Sequence, residues 1–308
     1  MKKNVRGLIL SSKSENQLSE KDYSIKRLLE VAQKRDIDVK VVRPEQFELI
    51  ITRTDTKSIL IDDKPEPLPD FVIPRMESDT TYYAFSVIRQ LQYLGAYVCN
   101  DANAIHAVKD KLYMHQLLAR SRLSSPKTML AKYPIATEVV KREIGFPLVI
   151  KNVTGTQGSG IYLCDSESKF VDVMELIYSN NPKANIILQE LIENSYGKDL
   201  RVFVVGGKVI GCMQRSSNNS FKANFSRGGN VASFDLTPEI EWLSTEAAKL
   251  LNLDIAGIDL LFDKDEFKIC EANSSPCFKG LEQVTGKIIA ENIIDYILVR
   301  IGLNSEVD

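Results

Sequence analysis

Residues 256–277, AGIDLLFDKDEFKICEANSSPC, decide the fold. Two apolar runs flank the polar stretch Lys264-Asp265-Glu266, which predicts an antiparallel hairpin. Asp259 stands among apolar neighbours, where an ionised carboxylate is costly unless it is paired or on a metal. Glu271 and Asn273 stand two residues apart near the end of the second strand, so strand alternation puts both on one face. Asp259 joins that face only if the register sets it opposite Glu271. A two-residue turn at Lys264-Asp265 would set it opposite Cys270 and send Glu271 to the wrong side. A three-residue loop, Lys264-Asp265-Glu266, with Asp263 opposite Phe267, or an equivalent bulge, brings the three together. This register places Leu261 and Ile269 behind them and Ile258, Leu260 and Cys270 on the other face. Three oxygen donors on adjacent strands suit a hard cation whose remaining ligands are waters and phosphates. The plainer alternative bonds Asp259 to backbone and leaves the other two capping a strand.

Outward from the hairpin, LRVFVVGG and VIGCMQR are strands joined at Gly206-Gly207, a strong hairpin signal. A polar stretch follows from Ser216 to Gly229, then a helix from about Pro238 to Leu251 and a closing helix over 285–301. Upstream, the strands PLVIK (147–151) and IYLC (161–164) enclose GTQGSG (155–160), and the helix KFVDVMELIYSN and the strand NIILQEL complete a small α+β lobe. The glycines of GTQGSG leave backbone N–H groups open to an anion. The loop lacks the lysine and the following helix of a Walker loop, so by itself it fits a flexible hairpin connection better than a phosphate site. Lys151, just before it, reads as a strand-end lysine reaching for solvent or as a charge held over a phosphate.

The amino-terminal third has a different rhythm. VRGLIL, the helix DYSIKRLLEVAQKR (22–35) and DVKVV follow as β-α-β and imply a parallel sheet. Pro65, Pro67 and Pro69 lead to the strand FVIP, a helix from about Thr81 that ends at Gly95, and AYVCN. A helical region is expected over 101–122, and its His106 and His115 read as ordinary surface or core residues. The whole predicts three lobes, 1–98, 99–186 and 187–308, of mixed α/β and α+β class.

Composition narrows the partners. Lys plus Arg is 39 against 41 Asp plus Glu, a net charge of −2, so tight binding to nucleic acid or to an anionic membrane is not expected. Five cysteines, Cys99, Cys164, Cys212, Cys270 and Cys277, include no CxxC pair and read as reduced thiols. The apolar run at Gly7–Leu10 is too short for a signal-peptide core, and the chain reads as soluble and cytoplasmic.

The ordered set PLVIK, GTQGSG, QEL, GKDLRVFVVGGKVIGCMQR, FKANFSRGG, AGIDLLF and EANSSP resembles the ATP-grasp superfamily, and within it the RimK-type ligases that add an amino acid such as glutamate. The resemblance extends through YSIKRLLEVAQ, VIPR, IRQLQYLGAYVCN and KDKLYMHQLLAR, nearly the whole chain. It implies an ATP-grasp fold preceded by a parallel-sheet pre-ATP-grasp domain. It also implies a carboxylate–amine ligase that uses ATP with Mg²⁺ or Mn²⁺, two ions, and passes through an acyl phosphate. The implied partners are an amino acid and a carboxylate acceptor, which is a peptide, a protein C-terminus or a small molecule, and a homo-oligomer is compatible with the family. A kinase that stops at phosphoryl transfer and a non-catalytic ATP-binding module are the alternatives.

By the same resemblance Lys111 and Lys151, with the loop Gly155, Thr156, Gln157, Gly158, Ser159 and Gly160, would touch the nucleotide phosphates. Gln189, Glu190, Leu191 and Ile192 would form the hinge at the adenine, and Asp199 would bind the ribose. Lys222, Ala223 and Asn224 would lie near the phosphates, and Asp259, Glu271 and Asn273 would hold the metal. Arg201, Arg215 and Arg227 would clamp carboxylate and developing phosphate charge. Cys277 stands where the family commonly has glycine, a departure on the substrate side. Acceptor choice would lie in the first lobe and in loops such as 74–82.

Overall fold

The computed structural model describes residues 5–53, 59–76, 80–153, 160–217, 220–223 and 229–303. The amino-terminal part builds on β1 (Arg6–Leu10), α1 (Tyr23–Lys34) and β2 (Asp38–Val42). Next come β3 (Phe47–Glu48), β4 (Ile59–Ile61), β5 (Lys64–Glu66), β6 (Phe71–Pro74), α2 (Tyr82–Leu94) and β7 (Tyr97–Val98). Strands β2, β1, β6 and β7 form, in that order, the expected parallel sheet. Helix α1 buries Ile25, Leu28, Val31 and Ala32 on one 3.6-period face, with Leu29 only half-buried at its edge. Helix α2 is capped by Thr81, whose hydroxyl accepts from the Ala84 N–H, and it ends at Gly95 in the left-handed conformation. A small antiparallel sheet of β3, β4 and β5 was not expected. Strands of two or three residues carry too little periodicity to read, and Pro65 can sit in β5 because that strand is an edge.

The helical region expected over 101–122 consists of two helices, α3 (Ala102–Lys109) and α4 (Lys111–Arg120). The break is at Asp110, which is extended (φ −89°, ψ 99°) and whose carboxylate accepts from the Tyr113 N–H to start α4. Four strands, β8 (Thr128–Ala131), β9 (Leu148–Asn152), β10 (Ile161–Cys164) and β11 (Ile186–Glu190), form an antiparallel sheet in the order β10-β9-β11-β8. Helices α5 (Thr137–Glu143) and α6 (Glu167–Asn180) cover it, with Val140, Phe170 and Met174 packed on Leu148, Ile150 and Leu188.

The last sheet has five antiparallel strands in the order β14-β13-β12-β15-β16. These are β12 (Lys198–Val205), β13 (Lys208–Ser216), β14 (Asn230–Ser233), β15 (Ile255–Asp263) and β16 (Glu266–Asn273). Gly206 and Gly207, both at positive φ (57° and 77°), make the expected two-residue turn between β12 and β13. Helix α7 (Pro238–Leu250) lays Ile240, Leu243 and Ala247 on Leu200, Val202, Ile258, Leu260 and Ile269. Burial of each large side chain there contributes about 1.5–3 kcal/mol. The closing helix expected over 285–301 is α9 (Ile289–Arg300), and a further short helix, α8 (Lys279–Thr285), precedes it and ends at Gly286 (φ 67°). These pack with α1 over Phe203, Val205 and Met213, and so cover only one end of the opposite face of the sheet.

The hairpin register sets Asp259 opposite Glu271, as required, but through the alternative device. The turn is the two-residue one, with Asp263 opposite Glu266 and Phe262 opposite Phe267, and a bulge between Leu260 and Asp259 absorbs Cys270. Two side-chain expectations are corrected by it. Ile269 lies opposite Leu260 and is buried with it and Ile258 under α7, not behind the carboxylates with Leu261. Cys270 faces Lys151 instead of packing with Leu260. A bulge exchanges the faces of everything between it and the turn, which accounts for both.

Candidate functional site

The uncovered end of the polar face of the five-stranded sheet carries a row of charges. Asp199 and Arg201 are two apart on β12, and their neighbours across the sheet are Arg215 on β13 and Asp259 on β15. Glu271 stands opposite Asp259, and Asn273 opposite Gly257. Arg215 donates to Asp199 through Nε and Nη2 at 2.7 Å each, and its Nη2 is also 3.0 Å from Asp259 Oδ2. Arg201 donates through Nε to Asp259 Oδ1 and through Nη2 to Oδ2 at 2.8 Å. Lys111 Nζ, at the start of α4, reaches Glu271 Oε1 at 2.9 Å. Arg215, Asp199, Arg201 and Asp259 alternate cation and carboxylate across β13, β12 and β15, and Glu271 on β16 is paired with Lys111 from α4.

Strand arginines are ordinarily exposed, yet Arg201 and Arg215 are 9% and 6% exposed and Asp259 is 5%. Burial pushes both carboxyls up. At Asp259 the Arg201 and Arg215 guanidiniums outweigh it and hold the group below the usual carboxylate range. At Asp199 burial wins, and the group is raised despite Arg215. Arg215 is itself desolvated, but the Asp259 and Asp199 carboxylates raise it above its ordinary value, so its charge is fixed. Gly257 makes room for the row: a Cβ there would lie 2.6 Å from Pro276 Cβ and 3.1 Å from Arg201 Nη1. The turn after Asn273 is held from the first sheet. Arg75 Nη2 donates to Pro276 O at 2.9 Å, and the Asn100 amide donates to Ile255 O and Ser274 O at 2.7 Å each.

The four-stranded sheet brings further groups to this face. Lys151 on β9 points to the β16 bulge, with Nζ 3.5 Å from Cys270 Sγ. His115, one turn after Lys111, is buried beneath both lysines. Burial first, then the Lys151 and Lys111 charges, pulls its pKa down to about 3, so the ring is neutral. The Gln189 amide donates to Thr128 Oγ1 at 2.7 Å and meets His115 Nε2 at 2.8 Å. The Gln189 side chain therefore points into the protein, and a hinge role would fall to its backbone. Glu190 Oε1 accepts from the Lys127 N–H at 2.9 Å and from Lys268 Nζ at 2.8 Å. Leu191 and Ile192 bridge from β11 to the 3-10 turn Glu193–Ser195 and so connect the two sheets.

The remaining expected residues divide. Asp199 gives both oxygens to Arg215 instead of standing open to a ribose. Lys222 lies over the Phe221 ring (5.5 Å), and Ala223 is buried. Their segment crosses Gly197, where a Cβ would be 2.7 Å from Ser217 O, and so lies beside Asp199. Gly160 is described, at φ +68° beside Asn152. Gly155, Thr156, Gln157, Gly158 and Ser159, with Asn224 and Arg227, lie outside the described residues. Cys277 is exposed. Sequence reading missed His115, Lys268, Arg75 and Asn100 as parts of the site's surroundings. A lone buried histidine carries no spacing signal, and the others act through contacts distant in sequence.

Among the described residues no three His, Cys, Asp or Glu side chains cluster as a metal-binding group. Asp259, Glu271 and Asn273 supply two carboxylates and an amide, all with oxygen donors, from adjoining rungs of one hairpin. That incomplete hard-donor set fits Mg²⁺ with phosphate and water in its other positions.

The chain matches a family model described as a RimK-like ATP-grasp domain over residues 108–297, and a RimK pre-ATP-grasp domain over residues 8–105. It is 39% identical over 283 residues to a probable alpha-L-glutamate ligase of Methanococcoides burtonii, covering 91% of this chain and 92% of that one. A protein of the same description from Marinomonas sp. is 38% identical over 277 residues, with 89% and 91% covered. The fold is similar to that of the ATP-grasp ligase PsnB, solved with a phosphomimetic variant of its minimal precursor, Mg and ADP. That comparison has a TM-score of 0.74, 19% identity, and 96% and 98% of the chains covered. No helix among the described residues is long and apolar enough to cross a membrane.

Proposed function

The chain belongs to the RimK-like ATP-grasp family, and on that footing we propose that it is an ATP-dependent carboxylate–amine ligase working through an acyl phosphate. A carboxylate oxygen attacks the γ-phosphorus as the β–γ bridging bond breaks and ADP leaves. An amine nitrogen then attacks the acyl carbon, the C–O bond to phosphate breaks, and the amide forms with loss of a proton. The amine is an amino acid such as glutamate, by the names of its relatives, and the acceptor is a peptide, a protein C-terminus or a small carboxylate. The reaction takes place in the cytoplasm, within three lobes bounded near residues 98 and 186.

The observation that carries this reading is the buried row Arg215, Asp199, Arg201, Asp259, Glu271 and Lys111, with Lys151 facing it. Phosphoryl transfer needs positioning and charge neutralisation more than a nucleophilic side chain. Lys111 and Lys151 bind the phosphates as point charges. Arg201 and Arg215, held in place by their carboxylates, stand over the place where negative charge develops. Asp259, Glu271 and Asn273 would hold Mg²⁺, which supplies neutralisation of phosphate charge when bound. The neutral His115 and the Gln189 amide support the lysines from below without adding a charge.

The test is a trap. With ATP, Mg²⁺, a candidate acceptor and hydroxylamine in place of the amine, an ATP-dependent hydroxamate is expected, with ADP and phosphate released in equal amounts. ADP released without phosphate would support the kinase alternative and overturn the ligase.

A further inference from the structure

We propose that Lys268 is a positioning residue that decides which base the nucleotide site accepts. By holding one oxygen of Glu190 it leaves the other as an acceptor for an exocyclic amine, so that adenine is taken and a purine with a carbonyl at that place is refused. The inference rests on the assignment of the nucleotide phosphates to Lys151 and of the metal to Glu271.

Two strands fix the place of the base. On β11, Ile187 stands beside Lys151, and Glu190 is three residues further along, roughly 10 Å of strand. On β16, Lys268 lies three residues before Glu271, roughly the same distance. Lys268 Nζ and Glu190 Oε1, 2.8 Å apart, therefore join the two sheets at a set remove from the phosphate end of the cleft. That remove matches the reach of a nucleotide from its diphosphate to its purine ring.

Glu190 is held at one oxygen from two sides. Oε1 accepts from the Lys127 N–H at 2.9 Å as well as from Lys268, while Oε2 accepts from none of the described residues. Lys268 is itself anchored, 2.9 Å from Asp263 Oδ2. Burial works against its charge, but the Glu190 and Asp263 carboxylates outweigh that and raise the ammonium above its ordinary value. An ionised carboxylate offers acceptors and no donor. An exocyclic amine satisfies Oε2, whereas a carbonyl there sets acceptor against acceptor. Without Lys268, the Glu190 side chain, 31% exposed, is tied only by the Lys127 N–H and turns its carboxylate to solvent, and the distinction is lost.

The experiment compares, by calorimetry on the full chain with Mg²⁺, the binding of ADP and of inosine diphosphate, whose ring carries a carbonyl in place of the amine. Wild type, Lys268→Met, Lys268→Gln, Lys268→Arg and Glu190→Gln are measured, each with its melting temperature. Wild type should bind ADP about ten- to a hundredfold tighter, the worth of one hydrogen bond to a charged group. In Lys268→Met and Lys268→Gln, ADP should weaken until the two affinities meet, with inosine diphosphate little changed. Lys268→Arg, which keeps the charge and a donor, should keep the preference. Glu190→Gln, which can turn an amide N–H toward the carbonyl, should lose it. A lysine needed only for folding or for joining the sheets would weaken both nucleotides alike and leave their ratio as in wild type, which overturns the inference. A preference that grows in Lys268→Met overturns it too, since Lys268 would then donate to the base itself. Equal binding of the two by wild type overturns the inference and leaves the nucleotide site standing, whereas failure of wild type to bind either overturns both.

Discussion

Arg215→Gln tests whether the charge row is held together electrostatically. Arg215 neutralises Asp199 through two hydrogen bonds and Asp259 through a third contact, with all three side chains at least 87% buried. Glutamine keeps part of the volume but leaves two buried carboxylates to share Arg201. Breaking a buried pair by removing one partner costs about 3–5 kcal/mol. At about 2–4 °C per kcal/mol for a unit of this size, the melting temperature should fall by roughly 6–20 °C at neutral pH. The pH dependence gives the sharper check. In the wild type Asp259 has a lowered folded pKa, so its contribution is present above the unfolded value of 3.8 and is lost as pH falls through the folded one. In the variant Asp199, already raised by burial, loses the Arg215 charge that opposes it and rises further, so the folded chain takes up a proton that the unfolded chain has released, and stability is regained as pH falls. The gap between wild type and variant should therefore narrow between pH 7 and pH 4, followed by calorimetric melting across that range. An equal gap at every pH would mean that Arg215 matters for packing alone, and the electrostatic account of the row would be wrong.

Three further expectations follow from single contacts. Lys151→Ala should weaken ATP binding by at least tenfold in calorimetry with the melting temperature nearly kept, since a charge-assisted bond is worth about 1.5–3 kcal/mol; unchanged affinity would remove Lys151 from the phosphates. Gly257→Ala places a methyl 2.6 Å from Pro276, so it should displace the turn after Asn273 and lower stability by about 1–3 kcal/mol in denaturant titration. His115 is buried neutral with its pKa near 3 against 6.5 in the unfolded chain, so stability should decline as pH drops below 6.5 while the unfolded chain gains a proton. His115→Gln should flatten that part of the acid limb.

Where the sequence could be read, a local rule governed the element. The parallel sheet followed from the rhythm of β1, α1 and β2, and the β12–β13 hairpin from Gly206-Gly207, the pair that tolerates positive φ at both turn positions. Where reading failed, competing local signals had to be settled by packing. Asp110 is a good cap residue inside a continuing apolar period, and in the structure it caps α4 and leaves Lys111 at that helix's first position. The hairpin turn is the clearest case. Its sequence allows either loop length, and the requirement that Asp259 and Glu271 share a face is met by a bulge whose position no turn rule specifies. The requirement was legible, and so were the two devices that could meet it, an odd-length loop or a bulge; the choice between them was not.

That bulge also explains why the site's surroundings were illegible. By taking Cys270 out of the ladder, it turns the thiol toward Lys151 and lets β16 carry Ile269 into the core on one side of the bulge and Glu271 into the charge row on the other. The row itself contains Arg201, Arg215 and Lys111 against Asp199, Asp259 and Glu271, three charges of each sign. A balanced row can be buried, because each desolvated group finds its counter-charge within the sheet. The same balance constrains what can enter. A dication alone would leave the row with excess positive charge, and a polyphosphate alone would leave it with excess negative charge, so either by itself restores the desolvation cost that the pairing removes. The ligand that such a face accepts at least cost is therefore a metal ion together with phosphate, each offsetting the charge the other brings.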